Sequence, residues 1–335
     1  MMERCVAVTG CGLWGRNLVR NFHSLNALHT VCDLDNENLK KIKETYGNSV
    51  NLTNDFNSLL ISPEIKAIVV ATPSHTHYNL VKKALLAGKN VYVEKPIATT
   101  AKEAKDLNDL AVSEDLILMV GHLLLYHPAV NRLRDIVLKG ELGDIVYVQS
   151  DRLNVNYFKN DRSVMWDLAP HDLSMVSYVT NKDPLKVKSA VGCSSERNDI
   201  MDIVHLDIEM EDGIIAHISD SWITPMKHVN LLVRGTKATA IFNDTFKENK
   251  LVIYDNCTPA QQNVEYPDYL EIEPLKLECQ HFLNCIEKSQ TPRTDGENGY
   301  KVVRILEEAD RMMLGNRYEE LNKVQFNSSR SKVLK

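Results

Sequence analysis

The chain has no Cys-x-x-Cys pair, although it carries seven cysteines (Cys5, Cys11, Cys32, Cys193, Cys257, Cys279, Cys285). An odd, scattered set fits neither a disulfide framework nor a zinc site. Reduced thiols, a cytoplasmic setting and no bound metal are the expectation. Long apolar runs are missing too. Every extended hydrophobic stretch is broken by charge or histidine well before the roughly 20 residues that cross a bilayer, so no membrane span is expected. The first residues show no basic, apolar and small-residue succession, and no export signal is expected. The net charge is -6, and no cluster of Lys and Arg is dense enough to neutralise phosphates along a helix. That makes nucleic acid a poor partner and small molecules better ones. Internal repeats and low-complexity segments are also absent.

What remains is ordinary globular composition. Of the 335 residues, 44% are hydrophobic and 25% charged, and a chain of this length divides into two domains more readily than it builds one core. From Cys5 to about His122, short apolar strands (Val6 to Val8, Leu28 to Cys32, Ala67 to Ala71, Asn90 to Val93, Leu116 to Val120) alternate with stretches of helical period. These helices are Leu13 to Phe22, Asn36 to Tyr46, His77 to Ala87 and Thr100 to Val112. Such alternation predicts an α/β, doubly wound parallel sheet. Gly88 falls where a helix C-terminus needs a left-handed residue.

Beyond His122 the pattern changes to hairpins. Val204 to Met210 and Ile214 to Ser219 flank the turn Glu211-Asp212-Gly213, and Val229 to Arg234 and Ala238 to Phe242 flank Gly235-Thr236-Lys237. An α+β domain with a largely antiparallel open sheet is predicted, one face of it free for water or a partner subunit. Helical period returns over Leu275 to Ile286 and Glu297 to Met313. The expected division is a dinucleotide-binding domain over 1–122, a substrate-binding and oligomerisation domain over 123–315, and a frayed Ser- and Lys-rich tail over 316–335.

Chemistry gathers in four places. Gly10-Cys11-Gly12-Leu13-Trp14-Gly15 follows the first strand and opens the first helix, the context in which a Gly-x-Gly-x-x-Gly turn cradles a pyrophosphate. Asp33, at the end of the second strand, is placed to bind ribose hydroxyls, which favours NAD over NADP because a 2'-phosphate would be repelled. Ala71-Thr72-Pro73-Ser74-His75-Thr76-His77 and Val93-Glu94-Lys95-Pro96 follow further strands, and both lie at the carboxyl edge where ligands of parallel sheets bind. With His122 after the last strand, these segments supply the candidate cofactor contacts Gly10, Gly12, Leu13, Trp14, Gly15, Asp33, Thr72, Pro73, His77, Glu94, Lys95 and His122. Lys95 by itself reads as an ordinary exposed surface lysine.

In Trp166-Asp167-Leu168-Ala169-Pro170-His171-Asp172, Asp167 and His171 share a helix face at a spacing of four. A carboxylate that orients an imidazole and raises its pKa suits proton transfer. The same residues also read as a helix start, with Asp167 as N-cap, Pro170 in the first turn and His171 as packing.

Taken together, Gly10-x-Gly12-x-x-Gly15, Ala71-Thr72-Pro73-x-x-x-His77, Glu94-Lys95-Pro96, Asp167-x-x-x-His171 and the segment Pro292-Arg293-Thr294-Asp295-Gly296 resemble the Gfo/Idh/MocA oxidoreductases over nearly the whole chain. The resemblance implies an enzyme acting on a sugar or cyclitol hydroxyl or the matching ketone. Lys95 would hydrogen-bond the reacting oxygen, His171 would be the general base and Asp167 would orient it. A cis Lys95-Pro96 bond is expected. Arg152-Leu153-Asn154 together with the Trp166 segment resembles members that handle nucleotide sugars, so a sugar nucleotide is the favoured substrate. Lys95, Tyr126, Arg152, Asn154, Asp167 and His171 are the candidate substrate contacts. Many relatives carry an Arg-aromatic pair where this chain reads Leu125-Tyr126, and whatever that arginine contacts does not carry over. Keto-sugar reduction, a redox-neutral NAD-using glycosidase and a non-catalytic NAD-sensing regulator are the alternatives. A homodimer or homotetramer is expected.

Overall fold

Val6–Thr9 (β1) is buried at every position, which suits an interior parallel strand. The computed structural model describes residues 4–155, 163–195, 200–256 and 263–330, with backbone only for Val155 and for 316–330. Cys257 and tail residues 331–335 lie outside the described residues. After β1 come α1 (Gly15–Ser24), β2 (Leu28–Cys32), α2 (Asn36–Tyr46), β3 (Asn51–Thr53), α3 (Phe56–Ile61), β4 (Ala67–Val70), α4 (His77–Leu86), β5 (Asn90–Glu94), α5 (Ala101–Ser113) and β6 (Leu118–Gly121). The six strands pair in parallel in the order β3-β2-β1-β4-β5-β6. The order reverses at β1, and the carboxyl ends of β1 and β4 therefore flank the crevice in which such sheets bind ligands. Asp35 and Thr100 cap α2 and α5 through their side chains, and Gly88 turns the chain into β5 at φ 70. The sequence reading missed β3 and α3, a three-residue edge strand and a six-residue helix too short to show a period.

The remaining elements are α6 (Pro128–Leu138), β7 (Ile145–Val155), α7 (Val164–Thr180), β8 (Pro184–Cys193), β9 (Ile203–Met210), β10 (Ile215–Ser221), β11 (Ile223–Gly235), β12 (Ala238–Asn243), β13 (Leu251–Asp255), β14 (Val264–Glu265), α8 (Pro274–Lys288) and α9 (Gly296–Arg330). Strands β7 to β14 form an eight-stranded sheet in the order β14-β13-β12-β11-β7-β10-β9-β8. Both predicted hairpins are present as antiparallel pairs, β9 with β10 and β11 with β12. The sheet is mixed, because β7 pairs parallel with β10 at its centre. The alternation along β9, buried at Val204, Leu206, Ile208 and Met210, sends one face to the core and the other outward.

The chain separates into two compact units, residues 1–132 with 269–303, and 133–268 with 304–335. The run assigned from sequence to 123–315 thus contributes to both, with α8 in the first unit. The backbone of α9 continues to Arg330, where the sequence suggests a frayed tail; residues 316–330 contain neither Gly nor Pro to break the helix. All six described cysteines are free thiols. Among the described residues no cluster of His, Cys, Asp and Glu is arranged to hold a metal, and no helix is long and apolar enough to cross a membrane.

Candidate active site

In the first unit the turn after β1 is shaped by its glycines. Gly10 has φ 85, and a Cβ there would lie 2.6 Å from the Ala71 carbonyl oxygen. A Cβ on Gly15 would collide with the Gly10 carbonyl oxygen, so this glycine lets α1 start hard against the strand. Gly12 differs, since a Cβ there would meet nothing within 4 Å. Its bareness serves no protein contact and leaves backbone open beside the N-terminus of α1, where a pyrophosphate fits. Asp33 Oδ2 accepts a hydrogen bond from Cys11 N at 2.7 Å, and its Oδ1 accepts from Asp35 N at 2.9 Å. The carboxylate is therefore fixed against the glycine turn, in the position where ribose hydroxyls are bound. These residues fit NAD. Leu13 is 91% exposed at the tip of the turn.

The two other loops of this edge are joined by one side chain. His77 is 1% exposed. Its Nδ1 lies 2.7 Å from the Pro96 carbonyl and its Nε2 2.8 Å from the Thr72 carbonyl. His77, expected as a cofactor contact, thus holds the loop after β4 to the turn after β5. Thr72 and Thr76 hydroxyls meet at 2.6 Å, and Pro73 is exposed. The Lys95-Pro96 bond is cis, as expected, and Lys95 is half-buried. Glu94 is buried and accepts from Trp14 Nε1 at 2.5 Å and from the Tyr92 hydroxyl at 3.3 Å. Burial raises the Glu94 carboxyl, while the Trp14 bond and the Lys95 charge pull it back. His122 is fully enclosed, and burial, with the Lys95 charge adding to it, pushes its imidazole down to about 3.

The second unit carries the other expected residues on α7. The helix starts one turn earlier than the capping reading of Asp167 requires. Ser163 is the N-cap, Asp167 is a buried residue of the first turn and Pro170 lies inside the helix. That corrects the N-cap reading and removes the simplest structural reason for a carboxylate at this position. His171 is half-buried one turn on. Behind it, Asp172 is fully buried and accepts from Ser150 Oγ at 2.6 Å. Arg152 Nε and Nη2 lie 2.9 and 3.1 Å from its two oxygens. Arg152, expected to contact substrate, is therefore held by Asp172. Asp220 on β10 is in register with Arg152 on β7 and is fully buried. Burial and the neighbouring Asp172, against the pull of Arg152, hold its carboxyl well above the usual range. Asn154 is half-buried two residues beyond Arg152, on the same face of β7.

Tyr126, another expected substrate contact, belongs to the core of the first unit. It is 3% exposed, and its hydroxyl meets Thr294 Oγ1 at 3.2 Å. The Arg293 guanidinium stacks 5.0 Å from its ring centre and donates to the Leu125 carbonyl at 2.5 Å. An arginine does serve the Leu125-Tyr126 segment, but it comes from the Pro292-Arg293-Thr294 loop. Asp172, Asp220 and Arg293 were missed as partners. Asp172 stood inside a segment already singled out, whereas Asp220 shows only as a carboxylate in a strand buried around it.

A glycine turn with a carboxylate fixed against it, on a parallel sheet, is the arrangement of an NAD-binding Rossmann unit, and the relatives of this chain are dehydrogenases and reductases acting on CH-OH groups. Residues 4–122 match the oxidoreductase family with NAD-binding Rossmann fold, and residues 130–241 match the GFO/IDH/MocA C-terminal domain. The chain belongs to the Gfo/Idh/MocA family, whose relatives act on sugars and cyclitols. It is similar to the UDP-N-acetylglucosamine 3-dehydrogenase of Acidithiobacillus ferrooxidans, at 26% identity over 90% of this chain and 95% of the relative. The solved structure of that enzyme matches with a TM-score of 0.81 at 25% identity, covering 94% and 98% of the two chains. The scyllo-inositol 2-dehydrogenase (NAD(+)) of Bacillus subtilis is 25% identical over 70% of this chain and 71% of its own. Levoglucosan dehydrogenase, solved with NADH and levoglucosan, shares the fold at a TM-score of 0.83 and 19% identity, covering 93% and 98%.

Proposed function

We propose that the protein oxidises a hydroxyl of a nucleotide-linked sugar, or reduces the corresponding ketone, with the Gly10 to Gly15 turn and Asp33 binding NAD. The likeness to UDP-N-acetylglucosamine 3-dehydrogenase along almost the full length of both chains carries the substrate class. NAD supplies the hydride acceptor. Lys95, at the carboxyl end of β5, hydrogen-bonds the reacting oxygen and stabilises the negative charge that develops as the proton leaves. His171 takes that proton, and Asp167 on the preceding turn orients the ring. The buried pair of Arg152 and Asp172 braces the helix that presents His171. Arg152 thus acts from behind the site, and Asn154 remains a proposed substrate contact.

The half-buried outer face of the eight-stranded sheet, with Tyr147, Gln149, Asp207 and His217, is the proposed contact with a second copy. Light scattering on eluted protein reads its mass. We place the protein in the cytoplasm, where its free thiols stay reduced.

The test is the absorbance of reduced nicotinamide when wild type and Lys95→Ala are mixed with NAD and UDP-sugars, dTDP-sugars, inositols or free hexoses. A signal confined to nucleotide sugars and lost in the variant is expected. A signal from free inositols or hexoses alone would overturn the substrate class. Equal rates in the two proteins would overturn the role of Lys95.

A further inference from the structure

Two carboxyl groups share one closed compartment of the nucleotide-binding unit. Glu94 ends β5, and Glu278 projects from α8 with no exposed surface. Tyr92, also without exposed surface, stands between them; its hydroxyl lies 3.3 Å from Glu94 Oε1, and Glu278 lies beside it. The ring is fixed by edge contacts with Phe22 at 6.5 Å and Phe282 at 5.8 Å. A Cβ on Gly121 would come within 2.7 Å of the Tyr92 hydroxyl and 3.0 Å of the Glu94 carboxyl, so the strand beside them closes the space from that side. The donors are unequally shared. Glu94 receives the Trp14 indole N–H at 2.5 Å and the Tyr92 hydroxyl, whereas neither Glu278 oxygen has a hydrogen bond of ordinary geometry.

Two buried carboxylates with one set of donors cannot both keep their charge. We infer that Glu278 is a positioning residue held as the neutral acid, so that the single negative charge of the compartment rests on Glu94, where it holds Trp14 of the glycine turn and faces Lys95. The groups around Glu278 agree. Glu94 and Tyr92 on β5, Tyr126 after β6 and Cys279 on its own helix offer it no cation; Arg20 of α1 is paired with Glu273 at 2.5 Å, and Arg293 lies over the Tyr126 ring and donates to the Leu125 carbonyl. Burial, then repulsion from Glu94, raises the Glu278 carboxyl well above its ordinary range, with the Tyr92 hydroxyl pulling the other way. The role differs from that of a packing residue, because it depends on where a proton sits. The neutral acid leaves Trp14, and with it the wall of the pyrophosphate turn, tied to the turn that carries Lys95.

The experiment compares full-length wild type with Glu278→Gln, which keeps shape and removes the titration. An acid whose pKa is raised by folding contributes stability that is lost as pH rises above the range of the unfolded carboxyl. The melting temperature of Glu278→Gln should therefore gain on that of wild type steadily between pH 5 and pH 9. A melting difference that is constant with pH, or that narrows, would overturn the inference. Infrared spectra of protein labelled with 13C in the glutamate carboxyls, at pH 8, give a second reading that excludes Asp220. A protonated carboxyl stretch that disappears in Glu278→Gln supports the assignment. Its absence from wild type, or its persistence in the variant, places the proton elsewhere and overturns it, and the wild-type reading stands even if the variant does not fold.

Discussion

Arg152 and Asp172 meet as a bidentate pair between β7 and α7, with Nε 2.9 Å from one carboxylate oxygen and Nη2 3.1 Å from the other. Asp172 has no side-chain exposure and Arg152 only 12%. Removing one partner of such a pair strands the other charge. Arg152→Ala should cost about 3 kcal/mol of folding stability, read by urea unfolding. If Arg152 acts behind the site, the variant's loss should appear in kcat more than in KM for the sugar. A rise in KM alone would return Arg152 to direct substrate contact.

The enclosed imidazole of His122 gives a prediction in pH. Folding depresses its pKa to about 3, so the folded state stays neutral while the unfolded chain takes up a proton below its ordinary value near 6.5. Its contribution to stability is complete above about pH 6.5 and is lost as pH falls toward 3, reaching about 2 kcal/mol of loss at pH 5. His122→Asn should flatten this part of the acid limb. Equal slopes in urea unfolding of the two proteins between pH 6.5 and pH 4.5 would count against it.

Gly12 and Gly15 have opposite reasons for lacking a side chain. Gly15→Ala drives a methyl group into the Gly10 carbonyl and should lower the melting temperature sharply. Gly12→Ala meets no protein atom and should leave the melting temperature near wild type while weakening NADH binding by at least tenfold, about 1.4 kcal/mol. Calorimetry with and without NADH separates the two.

The proposed placement of Asp33 at the ribose gives a prediction about coenzyme choice. Asp33→Asn should weaken NADH binding and improve NADPH relative to NADH, because it removes the repulsion of a 2'-phosphate. Arg16 stands nearby, its Nη2 3.0 Å from Asn38 Oδ1, and can turn toward that phosphate. An unchanged NADPH to NADH affinity ratio would show that the carboxylate does not govern the choice.

Local rules made the nucleotide-binding half readable. A glycine turn, short apolar strands and period-3.6 helices announce themselves within a few residues, and Asp33 lies at a fixed distance from its turn. The same rules do not show partners that are far away in sequence. His77 and Tyr126 looked like site residues because they sit beside motifs. One proved to bridge two loops and the other to pack under Arg293. Asp167 lost its capping role once the helix was seen to begin at Val164.

By itself the sequence determined the parallel sheet, its glycine turn and the two hairpins, since each depends on neighbours within one turn or one strand. Only the tertiary structure decided which charges are paired and which protons stay bound. Arg152 finds Asp172 across twenty residues, Glu278 meets Tyr92 across far more, and β7 lies parallel to β10. Burial and the arrival of distant partners set the cost of a charge. Neither is carried by the residue or its immediate neighbours.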